Sequence, residues 1–196
     1  MLFLACALSY TRAHAAAAPQ KPARAKADLR GSAAERLEAA DAARFGRGAR
    51  PAAAELDAAV AREANPQVRY GLLQALAAQD PIAAVPVLSR SLRSDASPIV
   101  RVAAAQELGR LEDPAAARAL ASALAGDADL DVRRAAAASL SVHRSTSAAA
   151  ALAAAAVQAD PGVRRFVARA LSRHDGAGVE AALTRLAADP DRAVAA

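Results

Sequence analysis

One motif recurs four times along the chain at a nearly constant spacing, and this repetition restricts the fold more than any other feature. Each copy contains a polar helix-capping residue, then a valine followed directly by an arginine, and a leucine seven positions after the arginine. The arginines lie 32, 32 and 31 residues apart and are Arg69, Arg101, Arg133 and Arg164. A period in this range is typical of proteins built from stacked units, in which each unit covers the hydrophobic face of its neighbour.

Each copy of the motif begins like an α-helix. The copies start at Asn65, Ser97, Asp129 and Asp160, and three of the four have proline directly afterwards. Such side chains accept a hydrogen bond from the first helical turn, and proline is favoured at the first helical position. Between the copies lies a looser family of alanine- and leucine-rich segments, which begin near Arg50, Asp80, Asp113, Thr146 and Gly178. One repeat is therefore predicted to be two short helices, with Asp80, Asp113 and Asp160 as N-caps.

The composition favours an all-α fold with a thin core. Alanine accounts for 64 of the 196 residues, whereas Leu, Ile, Val and Phe together account for 39. Alanine is the best helix former, and the aromatic content of 3% with no Trp argues against a β-sandwich. Because neither helix of a pair is long or apolar enough to bury its face alone, the repeats are expected to be stable only when they stack.

The chain divides into an N-terminal leader, a linker and a folded body. Residues 1–15 contain an apolar run followed by Ala13, His14 and Ala15, a pattern typical of a signal peptide with cleavage after Ala15. This predicts a periplasmic or secreted protein, and a cytoplasmic protein with an apolar N-terminus is the alternative. Residues 16–31 are rich in Ala, Pro and basic side chains and read as a flexible linker. Ser32 and Glu35 form a capping-box pattern, so the folded domain is expected over residues 32–196.

These repeats resemble HEAT or HEAT-like repeats, specifically the short bacterial kind grouped with phycobilisome lyases. The resemblance covers residues 48–196, with a degenerate capping helix over about 32–45. It implies an α-solenoid, a superhelix of stacked antiparallel helix pairs, with about four full repeats after the N-terminal capping helix.

The same resemblance implies a ladder of ion pairs between repeats, formed by an acid six positions before each motif arginine. Glu63, Asp95 and Asp127 match this pattern and Gln158 does not. The last junction is therefore expected to depend on packing more than on charge. The segment from Asp189 to Ala193 lacks the Val-Arg pair, so either its helix is frayed or the array continues beyond Ala196.

The motif helices have two distinct faces on a helical wheel. Their valine and leucine positions share one stripe, which predicts the core. The opposite stripe, which the resemblance places on the concave surface, includes Gln74, and the candidate partner-binding residues on it are Tyr70, Gln106, Arg134, Arg165, Arg169 and Arg173. The arginines could bind an acidic protein segment, since guanidinium groups pair bidentately with carboxylates. The alternative is that they form an ordinary solvated face.

The sequence predicts a non-enzymatic scaffold for protein–protein interaction, without cofactor or metal. Residues 32–196 contain no recognised catalytic motif, and His143 and His174 are expected to act as helix C-terminal residues rather than metal ligands. Two alternatives stay open: a bilin lyase, which only the resemblance suggests, and a nucleic-acid-binding array. Nucleic acid is the weaker of these, because residues 32–196 hold 20 basic and 19 acidic residues. No apolar run is long enough for a membrane span.

Overall fold

The computed structural model describes residues 29–47, 50–158 and 160–195. The predicted leader and most of the predicted linker lie outside these residues. Within them the chain forms eleven helices and no strand, in agreement with the predicted all-α solenoid. The helices are α1 (Ala33–Arg44), α2 (Ala53–Arg62), α3 (Pro66–Gln79), α4 (Pro81–Ser94), α5 (Pro98–Leu108), α6 (Pro114–Gly126), α7 (Leu130–Leu140), α8 (Thr146–Ala155), α9 (Pro161–Leu171), α10 (Ala177–Ala187) and α11 (Arg192–Ala195).

The helices stack in two layers. Helices α2, α4, α6, α8 and α10 pack on one another in sequence order and are called layer A. Helices α1, α3, α5, α7, α9 and α11 do the same and are called layer B. Each layer A helix also packs on the layer B helix that follows it, which gives four full pairs, a fifth pair with a short second helix, and α1 as the first helix of layer B.

The predicted core stripe of the motif helices is buried throughout. All twelve of its side chains are at most 1% exposed: Val68, Leu72, Leu76, Val100, Ala104, Leu108, Val132, Ala136, Leu140, Val163, Val167 and Leu171. They join the buried leucines of layer A in one continuous core. Because alanine contributes so little apolar area, this core depends on each repeat being covered on both sides.

Helix caps fix where most of these helices begin. The carboxylates of Asp80, Asp113 and Asp160 accept backbone N–H groups of the first turns of α4, α6 and α9, which confirms the three predicted caps. Ser32 and Glu35 form the predicted capping box at α1. Each cap satisfies donors that have no partner within the helix.

The last helix, α11, contains the valine of the motif. Its N-cap is Asp191, whose carboxylate accepts the N–H of Ala193 at 2.8 Å, and Val194 is only 5% exposed, in the position of Val163 one repeat earlier. The motif valine is therefore present in this repeat, and Ala195 occupies the arginine position. The segment from Asp189 to Ala193 lacks the Val-Arg pair because the helix of this repeat begins two residues after the Asp189-Pro190 pair suggests.

Candidate protein-binding surface

Three arginines form an exposed stripe on α9. Arg165, Arg169 and Arg173 follow one another at intervals of four, which places them on one side of the helix and its C-terminal extension. All three are exposed, and within the described part of the chain no carboxylate lies within 4 Å of their guanidinium groups. This arginine stripe is therefore positive charge without local compensation.

Arg134, which the sequence grouped with the stripe, has a different environment. Its guanidinium lies 3.1 Å from Asp131 and 3.3 Å from Asp160, the N-cap of α9, and its side chain is half-buried. It crosses the first turn of α9 so closely that a Cβ at Gly162 would lie 2.6 Å from Nη2 of Arg134. Arg134 thus ties α7 to α9, and its charge is already paired.

A groove borders the arginine stripe. It lies between α9, α10 and α11, has a volume of about 470 Å³, and has Arg165 and Arg169 on its rim. Its apolar lining includes Ala168, Leu183, Leu186 and Val194. This terminal groove could not be seen on a wheel of one helix, because its walls come from three. The pairing of apolar floor and cationic rim suits a segment with both apolar and acidic side chains.

The other two candidate residues lie toward the N-terminal end of layer B. Gln106 is exposed, whereas Tyr70 is half-buried and its hydroxyl accepts a hydrogen bond from Nε2 of Gln74 at 3.1 Å. Gln74, which the wheel places on the exposed stripe, is only 7% exposed. That expectation was wrong because α1 and α5 cover it: its amide also contacts Arg44 at 2.7 Å and Glu107 at 3.2 Å.

A polar network therefore joins three helices at this end. Glu107 is 6% exposed, and its carboxylate accepts two hydrogen bonds from Nη1 of Arg110, at 2.7 and 2.8 Å. Gln74 links this ion pair on α5 to Arg44 on α1. Sequence reasoning missed the network, because a single buried glutamate has no repeat pattern. The two ends of layer B thus differ, with satisfied polar groups at one end and uncompensated arginines at the other.

The predicted ladder of ion pairs runs along the repeats. In each of four pairs, an arginine uses Nε and Nη2 to donate to both oxygens of an acid in the next repeat, at 2.6 to 3.0 Å. The pairs are Arg36 with Glu63, Arg69 with Asp95, Arg101 with Asp127 and Arg164 with Asp189. The hydrogen bonds from the arginines hold the pKa values of Glu63 and Asp189 below their ordinary range.

The ladder pair is missing at Gln158, as the sequence predicts, and the ladder continues one repeat further. Asp189 occupies the ladder position 31 residues after Gln158 and pairs with Arg164. The position without a carboxylate is one repeat earlier, where Arg133 has Gln158 opposite it.

The two histidines lie just after the ends of α7 and α9. The ring of His143 is 6% exposed, and its Nε2 lies 3.2 Å from the carbonyl oxygen of Leu108 at the end of α5. A donor at that place favours the C-terminal end of α5, whereas the prediction concerned the ends of α7 and α9. The buried Nε2 of His174 has no hydrogen-bond partner. Across the three described ranges, no group of three or more His, Cys, Asp or Glu side chains is placed to hold a metal ion.

Among the helices of the described residues, none has the length and hydrophobicity needed to cross a bilayer. No curated protein matches the sequence.

A solved structure shares the fold. It is that of human deoxyhypusine hydroxylase in complex with glycerol, with a TM-score of 0.52 and 23% sequence identity over 84% of this chain and 77% of that chain. At this identity the similarity concerns the fold alone.

The family model for HEAT repeats matches residues 53–141 and 117–196. The two matched ranges overlap and together span every helix pair from α2 to α11. They also contain all four copies of the motif and three of the four ladder ion pairs. The chain belongs to the HEAT-repeat family.

Proposed function

We propose that this protein is a non-enzymatic scaffold that binds an acidic segment of a partner protein along the arginine stripe and the terminal groove. The observation that carries the proposal is the exposed, uncompensated charge of Arg165, Arg169 and Arg173 beside an apolar groove. An extended array of stacked helices offers such a surface, and residues 32–196 contain no recognised catalytic motif.

The stripe is unfavourable for the free protein and favourable for a complex. Like charges at intervals of four destabilise a helix by a few tenths of a kcal/mol per neighbouring pair. A carboxylate that approaches two of these arginines removes this repulsion and forms charge-assisted hydrogen bonds. The stripe covers eight residues of rise, or roughly 12 Å, which is the length of about four extended or eight helical peptide residues. A peptide of about twelve residues therefore covers the stripe and extends beyond it.

Charge balance favours an acidic peptide over nucleic acid as the partner. The folded body has a net charge of only +1, as counted from 20 basic and 19 acidic residues. Sequence-independent binding to a duplex needs several phosphate contacts spread along a positive surface.

A binding titration tests the proposal. The probe is a fluorescent, blocked peptide of about twelve residues that alternates glutamate pairs with leucine, measured by anisotropy at low salt. Replacing all three arginines, R165Q/R169Q/R173Q, is expected to weaken binding at least about tenfold, because each charge-assisted hydrogen bond contributes on the order of 1.5–3 kcal/mol.

The matched control removes the same charge elsewhere. The variant R93Q/R118Q/R185Q changes three exposed arginines of layer A helices and should alter the affinity less than about threefold. Equal losses in the two triple variants would mean that only net charge matters and would contradict the proposal. A DNA duplex that binds the wild type more tightly than the peptide at about 50 mM salt would favour a nucleic-acid partner instead.

A further inference from the structure

One position of the ion-pair ladder has its arginine but no acid. Arg133 lies on α7, in register with Arg69, Arg101 and Arg164, and the residue in the acid position of the following repeat is Gln158. The Nη1 group of Arg133 donates to the carbonyl oxygen of Asp127, as the Nη1 groups of the other motif arginines do to the corresponding carbonyls. Arg133 therefore makes the same hydrogen bond to the backbone as the other motif arginines.

Arg133 lacks the hydrogen bonds to a carboxylate that the other ladder arginines make. In each of the four complete pairs, Nε and Nη2 donate to one carboxylate, whereas Nε of Arg133 is buried and has no hydrogen-bond partner. The amide of Gln158 turns away and donates from Nε2 to the carbonyl oxygen of Ala125 at 3.4 Å. A buried N–H without a partner is unfavourable, so this site is set up for an acceptor that the chain does not supply.

We infer that Arg133 forms a binding site for a carboxylate at the junction of α7 and α9. The ligand would take the position that Glu63, Asp95, Asp127 and Asp189 occupy in the complete pairs, and would accept hydrogen bonds from Nε and Nη2. The Gln158 side chain is held beside this position by one hydrogen bond at the long end of the normal range, so its displacement by a ligand costs little.

The charged groups around the site allow one anion. Arg134 is adjacent, but its guanidinium is engaged by Asp131 and Asp160. The positive charge of Arg133 helps to lower the pKa of Asp160. The two groups are nevertheless more than 4 Å apart and form no ion pair. Repulsion from Asp160 limits the affinity, and with a single bidentate pair we expect half-saturation by acetate at on the order of tens of millimolar.

The direct test observes the Nε–H resonance of Arg133 by ¹H–¹⁵N NMR while sodium acetate is added, with sodium chloride at matched ionic strength as the reference. The variant R133K, which keeps the charge and lacks Nε, assigns the resonance. The wild type should show a saturable downfield shift with acetate and little change with chloride. No saturable shift up to about 200 mM acetate would overturn the inference.

The isosteric variant Q158E supplies the missing carboxylate within the chain. Glu63 pairs with Arg36 from the equivalent position, so a glutamate has the length that the position accepts. In Q158E the Arg133 resonance should already lie downfield and should not respond to acetate, and the melting temperature should rise by about 2–4 °C. A response to acetate equal to that of the wild type would place acetate elsewhere and reject the site.

Two sources of the carboxylate can be distinguished. A response to acetate but not to a blocked peptide with one central glutamate identifies a site for small free acids, and a response to both identifies a site that also accepts a partner's acidic side chain. The inference is independent of the arginine stripe, because R165Q/R169Q/R173Q should bind acetate as the wild type does.

Discussion

Each ladder acid stabilises the junction between two repeats in two ways. Asp127, for example, accepts both donors of Arg101 at 2.9 Å and also accepts the backbone N–H of Asp129, so it joins one repeat to the turn of the next. Both side chains of the pair are nearly buried, with 13% and 10% exposure. Pairs in such surroundings matter chiefly because removing one partner leaves the other without compensation.

Removing a ladder carboxylate should therefore destabilise the fold. We expect D127N to lower the free energy of unfolding by about 2 kcal/mol, because Asn presents N–H groups to the guanidinium of Arg101 and leaves a nearly buried charge unpaired. Chemical denaturation followed by circular dichroism measures the change. The matched control E112Q alters an exposed acid with no ion pair among the described residues and should change stability by less than about 0.5 kcal/mol. Equal effects of the two substitutions would contradict the role of the ladder.

Acidification should weaken the protein through the same carboxylates. Arg36 and Arg164 lower the pKa values of Glu63 and Asp189, and the N–H of Val163 is the main cause for Asp160. Groups with lowered folded-state pKa values stabilise above their unfolded values of 4.5 for Glu and 3.8 for Asp, and this contribution is lost as the pH falls through the folded values. The urea midpoint should stay level near neutrality and fall below about pH 4.5. The urea midpoint of E63Q should fall less steeply with pH than that of the wild type. A wild-type midpoint that rises on acidification would contradict the stabilising role of these carboxylates.

Helix caps show how far local sequence predicts an element. The three predicted aspartate caps are present, because an N-cap depends on a side chain and the first turn of its own helix. Features that depend on neighbouring helices were not predictable in the same way. Gln74 is buried by α1 and α5, and Arg134 is paired with Asp160, which is 26 residues further along the chain.

Substitutions at the helix N-caps can compare residues that make a capping hydrogen bond with one that does not. We expect D80A and D113A each to reduce stability by about 1 kcal/mol, since each carboxylate accepts a first-turn N–H. S97A is the control, because Ser97 is the N-cap of α5 and its side chain makes no capping hydrogen bond. Its effect should be no more than a few tenths of a kcal/mol. Thermal unfolding of the three variants provides the comparison, and equal effects would show that the hydrogen bonds contribute nothing.

At the scale of the whole molecule, the fold follows from the repeat, and the proposed binding surface follows from departures from the repeat. The 31 to 32 residue period predicted the helix pairs and the core stripe, because those features recur in every unit. The arginine stripe, the polar network of Glu107 and the missing acid at Gln158 each occur in one unit only. The terminal groove needed the positions of three helices, which no single repeat supplies.

Hydrogen–deuterium exchange with and without the acidic peptide tests most directly whether layer B binds a partner at its C-terminal end. The peptide should slow amide exchange in α9, α10 and α11, and the pattern should disappear in R165Q/R169Q/R173Q while persisting in R93Q/R118Q/R185Q. Protection centred on α4 and α6, or spread evenly over both layers, would contradict the assignment of the binding surface.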